Sequence, residues 1–147
     1  SDINIYIYGP NKESNYPDNV KYVGNFSPDL LPLKIKESFG LVWDGDEIST
    51  CSGPLGNYLK YNNPHKLSMY LSSGIPVVIW SKAATAEFVK NARVGILLDD
   101  LNNLNTKLNK ISEDEYKIMC SNAVNLSKKM RKGYFLKTAL QNLIKQL

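Results

Sequence analysis

The feature that most constrains the fold is a helix signal that runs directly into an entirely apolar strand signal. Asn63 and Pro64 are typical of an N-cap and a first helical residue, and Gly74 is typical of the residue that follows a helix end. Ile75-Pro-Val-Val-Ile-Trp80 then has strand length and no polar residue, which predicts a strand buried on both faces. Such a strand requires helices on both sides of a sheet. The sequence therefore predicts an α/β fold with parallel strands.

The rest of the chain alternates strand and helix signals. Strands are predicted at residues 3–8, 20–26, 39–43 and 94–98, and helices at 30–35, 83–92, 112–132 and 134–147. Residues 47–62 show no sustained period and are predicted to form a long loop. We expect a Rossmann-like, doubly wound parallel sheet flanked by helices, in a single domain over residues 1–147.

Composition excludes several classes of protein. The 147 residues are 43% hydrophobic, which suffices for a core without disulfides or metals. No apolar run approaches the roughly 18 residues of a membrane span, and no signal peptide is recognised at the start. Two cysteines, Cys51 and Cys120, are too few for a disulfide scaffold, so we expect reduced thiols and a cytoplasmic protein. The net charge of +4 comes mainly from lysine, without the arginine clusters of nucleic-acid readers, so no nucleic-acid partner is expected.

The clearest candidate for a binding site is the predicted helix start at residues 63–66. A helix N-terminus presents unpaired N–H groups and a partial positive charge of about half a unit. His65 and Lys66 place cations there, where the helix dipole disfavours them, and a bound anion such as a diphosphate would reverse that penalty. The alternative is a plain cap with solvated His65 and Lys66. The order of elements favours the anion site, because parallel α/β sheets bind ligands at the carboxyl ends of their strands.

Residues 63–79, Asn-Pro-His-Lys-Leu-Ser-Met-Tyr-Leu-Ser-Ser-Gly-Ile-Pro-Val-Val-Ile, resemble the donor-site helix and following strand of GT-B glycosyltransferases. Many of these enzymes carry a pattern close to P-x-K-x-x-E-Y-L-A-x-G-x-P-V-I at this place. The Asn-Pro-His-Lys form is similar to glucosyltransferases of bacterial adhesin-glycosylation loci and to galactofuranosyltransferases of capsule and O-antigen loci. The resemblance covers essentially the whole chain, as the C-terminal, nucleotide-sugar-binding half of such an enzyme. The chain starts in a strand, as a fragment cut at the interdomain linker would.

The resemblance implies a UDP-sugar donor and a site built from several loops. Residues 61–66 would bind the diphosphate through backbone N–H groups and the charge of Lys66, and Asn25-Phe26 would lie where such enzymes hold uracil. Met69 stands where many of these enzymes have a ribose-binding glutamate, so Ser68 or a backbone carbonyl would hold the ribose instead. No metal or other cofactor is expected, and no catalytic residue is assigned. The residues implied to bind UDP or the sugar are Gly9, Asn25, Phe26, Asp44, Tyr61, Asn62, Asn63, Pro64, His65 and Lys66.

The predicted function is therefore the donor-binding part of a hexosyltransferase that uses a UDP-sugar and is inactive as an isolated domain. A sugar acceptor on a glycoprotein or polysaccharide would be bound by a missing N-terminal domain. The alternative is a non-catalytic nucleotide-binding, regulatory or assembly module. Apolar positions on the C-terminal helices leave a homo-oligomer open, and a basic cluster leaves a peripheral membrane contact open. That cluster consists of Lys128, Lys129, Arg131 and Lys132.

Overall fold

The computed structural model describes residues 3–146, and the chain divides into two compact units, one ending at Glu37 and the other beginning at Ser38. The first unit contains two parallel strands, β1 (Ile5–Tyr8) and β2 (Val20–Gly24), followed by the short helix α1 (Leu31–Lys34). Ile5 pairs with Val20, and the register shifts by one residue between Ile7 and Tyr8.

The second unit is built on a three-stranded parallel sheet in the order β3-β4-β5. Its strands are β3 (Gly40–Val42), β4 (Val77–Trp80) and β5 (Gly95–Leu98). The helices of this unit are α2 (Gly53–Tyr58), α3 (His65–Ser72), α4 (Ala86–Ala92), α5 (Leu104–Asn109), α6 (Glu113–Arg131) and α7 (Tyr134–Ile144), with a 3₁₀ turn at Leu101–Asn103.

The predicted α/β class, with parallel strands flanked by helices, is confirmed. All four residues of the central strand β4 are buried, as the apolar run 75–80 predicted. Helix α3 packs against α6, and Leu71 of α3 and Ala123 of α6 belong to the same core as Val77 and Ile79 of β4. Each large side chain buried in this way contributes roughly 1.5–3 kcal/mol of hydrophobic stabilisation. Within residues 3–146, no helix has both the length and the apolar character needed to cross a bilayer.

Three helical segments differ from the sequence-based expectations. The predicted loop 47–62 contains α2, residues 101–109 form the 3₁₀ turn and α5, and α4 begins at Ala86 rather than Ala83. Two of the six residues of α2 are glycines, which disfavour helices, and the segment is too short to show a helical period; its proline lies in the first turn, where proline is tolerated. Tertiary packing holds it instead, because Gly56 lies buried against the backbone of Cys51.

Helices α3 and α4 end in the same hydrogen-bond pattern but with different residues. At the end of α3, Ile75 N–H donates to the Tyr70 carbonyl at 3.0 Å, and Gly74 takes the left-handed conformation with φ 76°. At the end of α4, Val94 N–H donates to the Val89 carbonyl at 3.1 Å, and Arg93 has φ 52°. Within residues 3–146, Arg93 is the one residue other than glycine with a positive φ. The predicted Gly74 stop is thus confirmed, and α4 forms the same stop with a strained residue.

Replacing Arg93 with glycine is expected to raise the free energy of unfolding by about 0.5–1 kcal/mol, because glycine adopts the left-handed conformation without steric penalty. The opposite change at the matching position, Gly74→Ala, is expected to lower it by about 1–2 kcal/mol, since a Cβ there keeps a positive φ and lies 3.2 Å from Val124. Urea denaturation of both variants measures the difference. A loss of stability in Arg93→Gly would contradict the assignment of strain.

Candidate functional site

The start of α3 and the loop after β3 form the candidate site, and both belong to the second unit. Helix α3 begins at His65, with Pro64 as its N-cap in an extended conformation (φ −68°, ψ 136°). The prediction that Asn63 is the N-cap and Pro64 the first helical residue is wrong by one position. The proline ring fixes φ in a range that suits either place, and the extended ψ puts Pro64 outside the helix.

The N-terminus of α3 is open. No side chain in the described range 3–146 caps it, and its first turn contains no acidic residue. Leu67 N–H donates to the Pro64 carbonyl at 3.0 Å, whereas the N–H groups of His65 and Lys66 have no acceptor within residues 3–146. Unpaired N–H groups at a helix start attract an anion, which the helix dipole also favours.

Lys66 joins this helix start to the end of β3. Its Nζ lies 2.5 Å from Oδ1 of Asp44 and 3.3 Å from the carbonyl oxygen of Trp43. The Lys66 and Asp44 side chains are 35% and 29% exposed, so the pair is partly solvated and contributes at most about 1 kcal/mol to stability. The main effect of the ion pair is to hold Lys66 beside the loop that follows β3. Two residues that were predicted for the site from separate segments are thus in direct contact.

The loop after β3 is held against residues 51–56 at backbone contact distance. A Cβ on Gly45, which has φ 118°, would lie 2.4 Å from the carbonyl oxygen of Ser52, and a Cβ on Gly56 would lie 2.4 Å from the carbonyl carbon of Cys51. This close packing fixes the backbone that carries Asp44. This contact between the loop after β3 and residues 51–56 was not predicted from the sequence. The sequence signal for it is the pair of glycines, Gly45 and Gly56, that flank Cys51.

Cys51 is buried beneath this loop, with 2% of its surface exposed. Burial raises the pKa of its thiol, because the thiolate would be poorly solvated there. A hydrogen bond with the backbone of Asp44 lowers the pKa in part, the Asp44 charge raises it, and the Lys66 charge lowers it. The neutral thiol therefore belongs to the packing that supports the site.

Asn62 contributes an unusual polar atom just before the helix. Its backbone N–H donates to the Tyr58 carbonyl at 3.1 Å, but its side-chain Oδ1 is buried and accepts no hydrogen bond within residues 3–146. A buried acceptor without a donor costs about 1–3 kcal/mol. The neighbouring Tyr61, Asn63 and His65 are exposed, and Tyr61 is 82% exposed.

The other three predicted site residues lie in the first unit, next to one another at the carboxyl ends of β1 and β2. Gly9 follows β1, and its N–H donates to the Gly24 carbonyl at 3.0 Å. Tyr22 donates its hydroxyl to the Gly9 carbonyl at 2.6 Å. Asn25 is exposed, and the Phe26 ring lies 6.2 Å from that of Tyr8.

A parallel α/β fold with an open helix start and a lysine beside it is typical of proteins that bind a phosphate-bearing ligand. Comparison with known proteins identifies the class further. Residues 1–143 match the family described as "Glucosyltransferase 3-like, C-terminal domain", and the chain belongs to this family.

The chain is similar to curated glycosyltransferases over part of their length. It is 40% identical over 144 residues to the beta-1,6-galactofuranosyltransferase WbbI of Escherichia coli (strain K12), covering 96% of this chain and 43% of that protein. It is 34% identical over 137 residues to glucosyltransferase 3 of Streptococcus gordonii, covering 92% of this chain and 40% of that protein. The chain thus spans less than half the length of these relatives.

We expect the Cys51 thiol to react with a thiol reagent at least about 100-fold more slowly in the folded protein than in urea, because it is buried and its pKa is raised. Because the pKa of the Cys51 thiol is higher in the folded protein than in the unfolded one, the protonated thiol stabilises the fold fully at a pH below the pKa of an ordinary thiol. This stabilisation is lost as the pH rises through the pKa of the thiol in the folded protein. A Cys120→Ser variant isolates the Cys51 signal. Rapid labelling in that variant under native conditions would show that the loop opens.

Proposed function

We propose that the open start of α3, with Lys66, binds the diphosphate of a UDP-sugar, and that the chain is the donor-binding part of a hexosyltransferase. The observation that carries the proposal is the pair of free N–H groups on His65 and Lys66, next to an ammonium group held at the same helix start. The proposed diphosphate site lies wholly within the second unit. Membership of a glucosyltransferase 3-like family supports a nucleotide sugar as the phosphate-bearing ligand.

The chemistry required of such a site is stabilisation of a leaving group. When a glycosidic bond to UDP breaks, negative charge develops on the diphosphate, and fixed N–H donors and a cation lower the barrier by stabilising it. Helix α3 supplies the donors and Lys66 the cation, so the proposed site needs no metal ion. Asp44 holds Lys66 in place before the donor binds, and Lys66 then bridges Asp44 and the diphosphate.

The Asn62 side chain suits a hydroxyl of the ribose or the sugar. Its buried Oδ1 has no donor among residues 3–146, and a ligand hydroxyl would satisfy it. Many GT-B glycosyltransferases bind the ribose with a glutamate at the position where this chain has Met69. In this chain Asn62 would take that role, so the hydroxyl-binding group would lie before α3 instead of within it. The acceptor and its general base would be provided outside these 147 residues, and the reaction would transfer a hexose to a sugar acceptor on a glycoprotein or polysaccharide.

A Lys66→Ala variant is expected to bind UDP about tenfold or more weakly than the wild-type chain, because a charge-assisted contact to phosphate is lost. Isothermal calorimetry with UDP and with uridine measures the two affinities. The affinity for UDP should fall, and the affinity for uridine, which has no phosphate, should not change. Lys107→Ala is the matched control, since this exposed lysine lies on α5.

Removing Lys66 also leaves the Asp44 carboxylate unpaired, and this carboxylate would repel the diphosphate. The double variant Lys66→Ala/Asp44→Asn separates the two effects: it should recover part of the lost affinity but not all of it. If Lys66→Ala binds UDP as tightly as the wild type, or if no uridine nucleotide raises the melting temperature of the wild type, the proposal is wrong.

An Asn62→Ala variant is expected to leave the free energy of unfolding of the unliganded protein unchanged or to raise it by up to about 1–3 kcal/mol, because it removes a buried oxygen that has no hydrogen-bond donor within residues 3–146. The same change should weaken UDP-sugar binding about fivefold or more, through the loss of one hydroxyl contact. Urea denaturation and calorimetry measure the two quantities, with the exposed Asn91→Ala as control. Marked destabilisation without any loss of affinity would assign Asn62 a purely structural role.

A further inference from the structure

The sheet of the second unit has a free edge along β5. This strand is the last in the order β3-β4-β5, and among the described strands it pairs with β4 alone. Val77 pairs in parallel with Gly95, and its N–H donates to the Val94 carbonyl at 3.0 Å. The N–H and C=O groups of Gly95 and Leu97 therefore point away from β4, and they have no hydrogen-bond partner within residues 3–146.

A groove of about 510 Å³ runs along this edge, and we refer to it as the β5 groove. Its lining includes residues 95–97 of β5 together with Ile118 and Met119 of α6. Ile118 is 40% exposed. The groove therefore presents unpaired backbone groups and apolar side chains side by side.

Four cations also line the β5 groove. They lie in the last turn and C-cap of α4 and in α5 and its C-cap: Lys90, Arg93, Lys107 and Lys110. Within residues 3–146, none of the four has a carboxylate oxygen within 4.0 Å. Glu115 is the one acidic residue in the lining, and its carboxylate accepts hydrogen bonds at 2.9 Å from the backbone and hydroxyl of Ser112. The groove thus has an excess of positive charge that the described part of the chain does not neutralise.

Arg93 occupies its place in the groove at a conformational cost. Its φ of 52° favours glycine, and Gly74 forms the same helix stop at the end of α3. Charged side chains beside a sheet edge often serve only to prevent unwanted pairing, but a residue with ordinary backbone geometry would do that without strain. A strained arginine in the groove lining therefore indicates that its guanidinium group binds something there.

We propose that the β5 groove binds an extended acidic segment of another polypeptide, which adds to the sheet as a further strand beside β5. An extended backbone supplies N–H and C=O groups at the spacing that Gly95 and Leu97 require. Carboxylates on the segment complement the four cations, and its apolar side chains cover Ile118 and Met119. The groove includes Arg93 and Gly95 at the amino end of β5, whereas the proposed diphosphate site lies after the carboxyl end of β3. This inference is therefore independent of UDP binding.

Two peptides test the charge preference with the 147-residue chain. The probe is the blocked hexapeptide Glu-Val-Glu-Val-Glu-Val, and the control is Lys-Val-Lys-Val-Lys-Val. We expect isothermal calorimetry to show at least about tenfold tighter binding of the acidic peptide, with an affinity that falls between about 0.1 and 0.5 M salt.

Two N-methylated forms of the acidic peptide test the addition of a strand. One carries methyl groups on the glutamate nitrogens and the other on the valine nitrogens. Because alternate N–H groups of a strand point to opposite sides, one form should bind about tenfold or more weakly and the other within about threefold of the parent peptide. Equal affinities of the two forms would contradict pairing with the β5 edge.

Substitutions in the groove test the role of the cations. Arg93→Gly should weaken binding of the acidic peptide about fivefold or more although it stabilises the fold, so a purely structural effect would not produce this result. Lys107→Gln/Lys110→Gln should weaken binding about tenfold or more. The charge-matched control Lys128→Gln/Lys132→Gln, at the end of α6, should stay within about twofold of wild type.

Three further outcomes would overturn the proposal. The first is equal binding of the acidic and basic peptides, or no binding of either. The second is binding of inorganic triphosphate without binding of the acidic peptide, which would assign the groove to a small anion. The third is self-association in sedimentation equilibrium that Lys107→Gln/Lys110→Gln abolishes, because a second copy would then fill the groove. Binding of UDP to the wild type is measured separately and bears only on the α3 site.

Discussion

Burial of β4 on both faces determines where the site lies. Gly74 ends α3 immediately before the strand, so α3 runs antiparallel to β4 and its N-terminus points to the edge of the sheet where the parallel strands end. The 2.5 Å contact between Lys66, at the start of α3, and Asp44, just after β3, is the direct result. If β4 carried polar residues on one face, α3 would not be needed to cover that face. The apolar run thus determines both the core and the position of the helix start.

The parts of the fold that could be predicted are those in which local sequence and tertiary packing agree. The apolar β4 and helix α6, which was predicted over residues 112–132, both appear where the sequence indicates, and Ser112 and Glu115 form a capping box at the start of α6. Helix α2 could not be predicted, because its glycines disfavour a helix and the close approach of Gly56 to the backbone of Cys51 arises only in the folded chain. The same applies to the one-residue shift at Pro64, where φ alone does not define which side of the helix boundary the proline occupies.

For the candidate site, the sequence indicated which residues carry charge but not how those charges are paired. Lys66 and Asp44 are 22 positions apart, and no local pattern connects them. Gly45 and Gly56 both lie at backbone contact distance from residues 51–52, and this close packing positions the loop that carries Asp44. Such an approach of two backbone segments is not indicated by the types of the charged side chains. The orphaned oxygen of Asn62 likewise depends on burial, which only the folded chain defines.

Three unfavourable local features coincide at the start of α3. In the part of the chain that the structure describes, two N–H groups lack acceptors and a buried amide oxygen lacks a donor, and a cation lies at the positive end of the helix dipole. The buried amide oxygen raises the free energy of the unliganded fold, and an apolar residue in place of Asn62 would remove that cost. A capping side chain or an acidic residue in the first turn would likewise suit the helix start better than the residues present. One ligand that combines a diphosphate with hydroxyl groups would satisfy all three at once. Because a single ligand would supply partners for all of these groups, their occurrence at one helix start favours a nucleotide-sugar site over a plain helix cap.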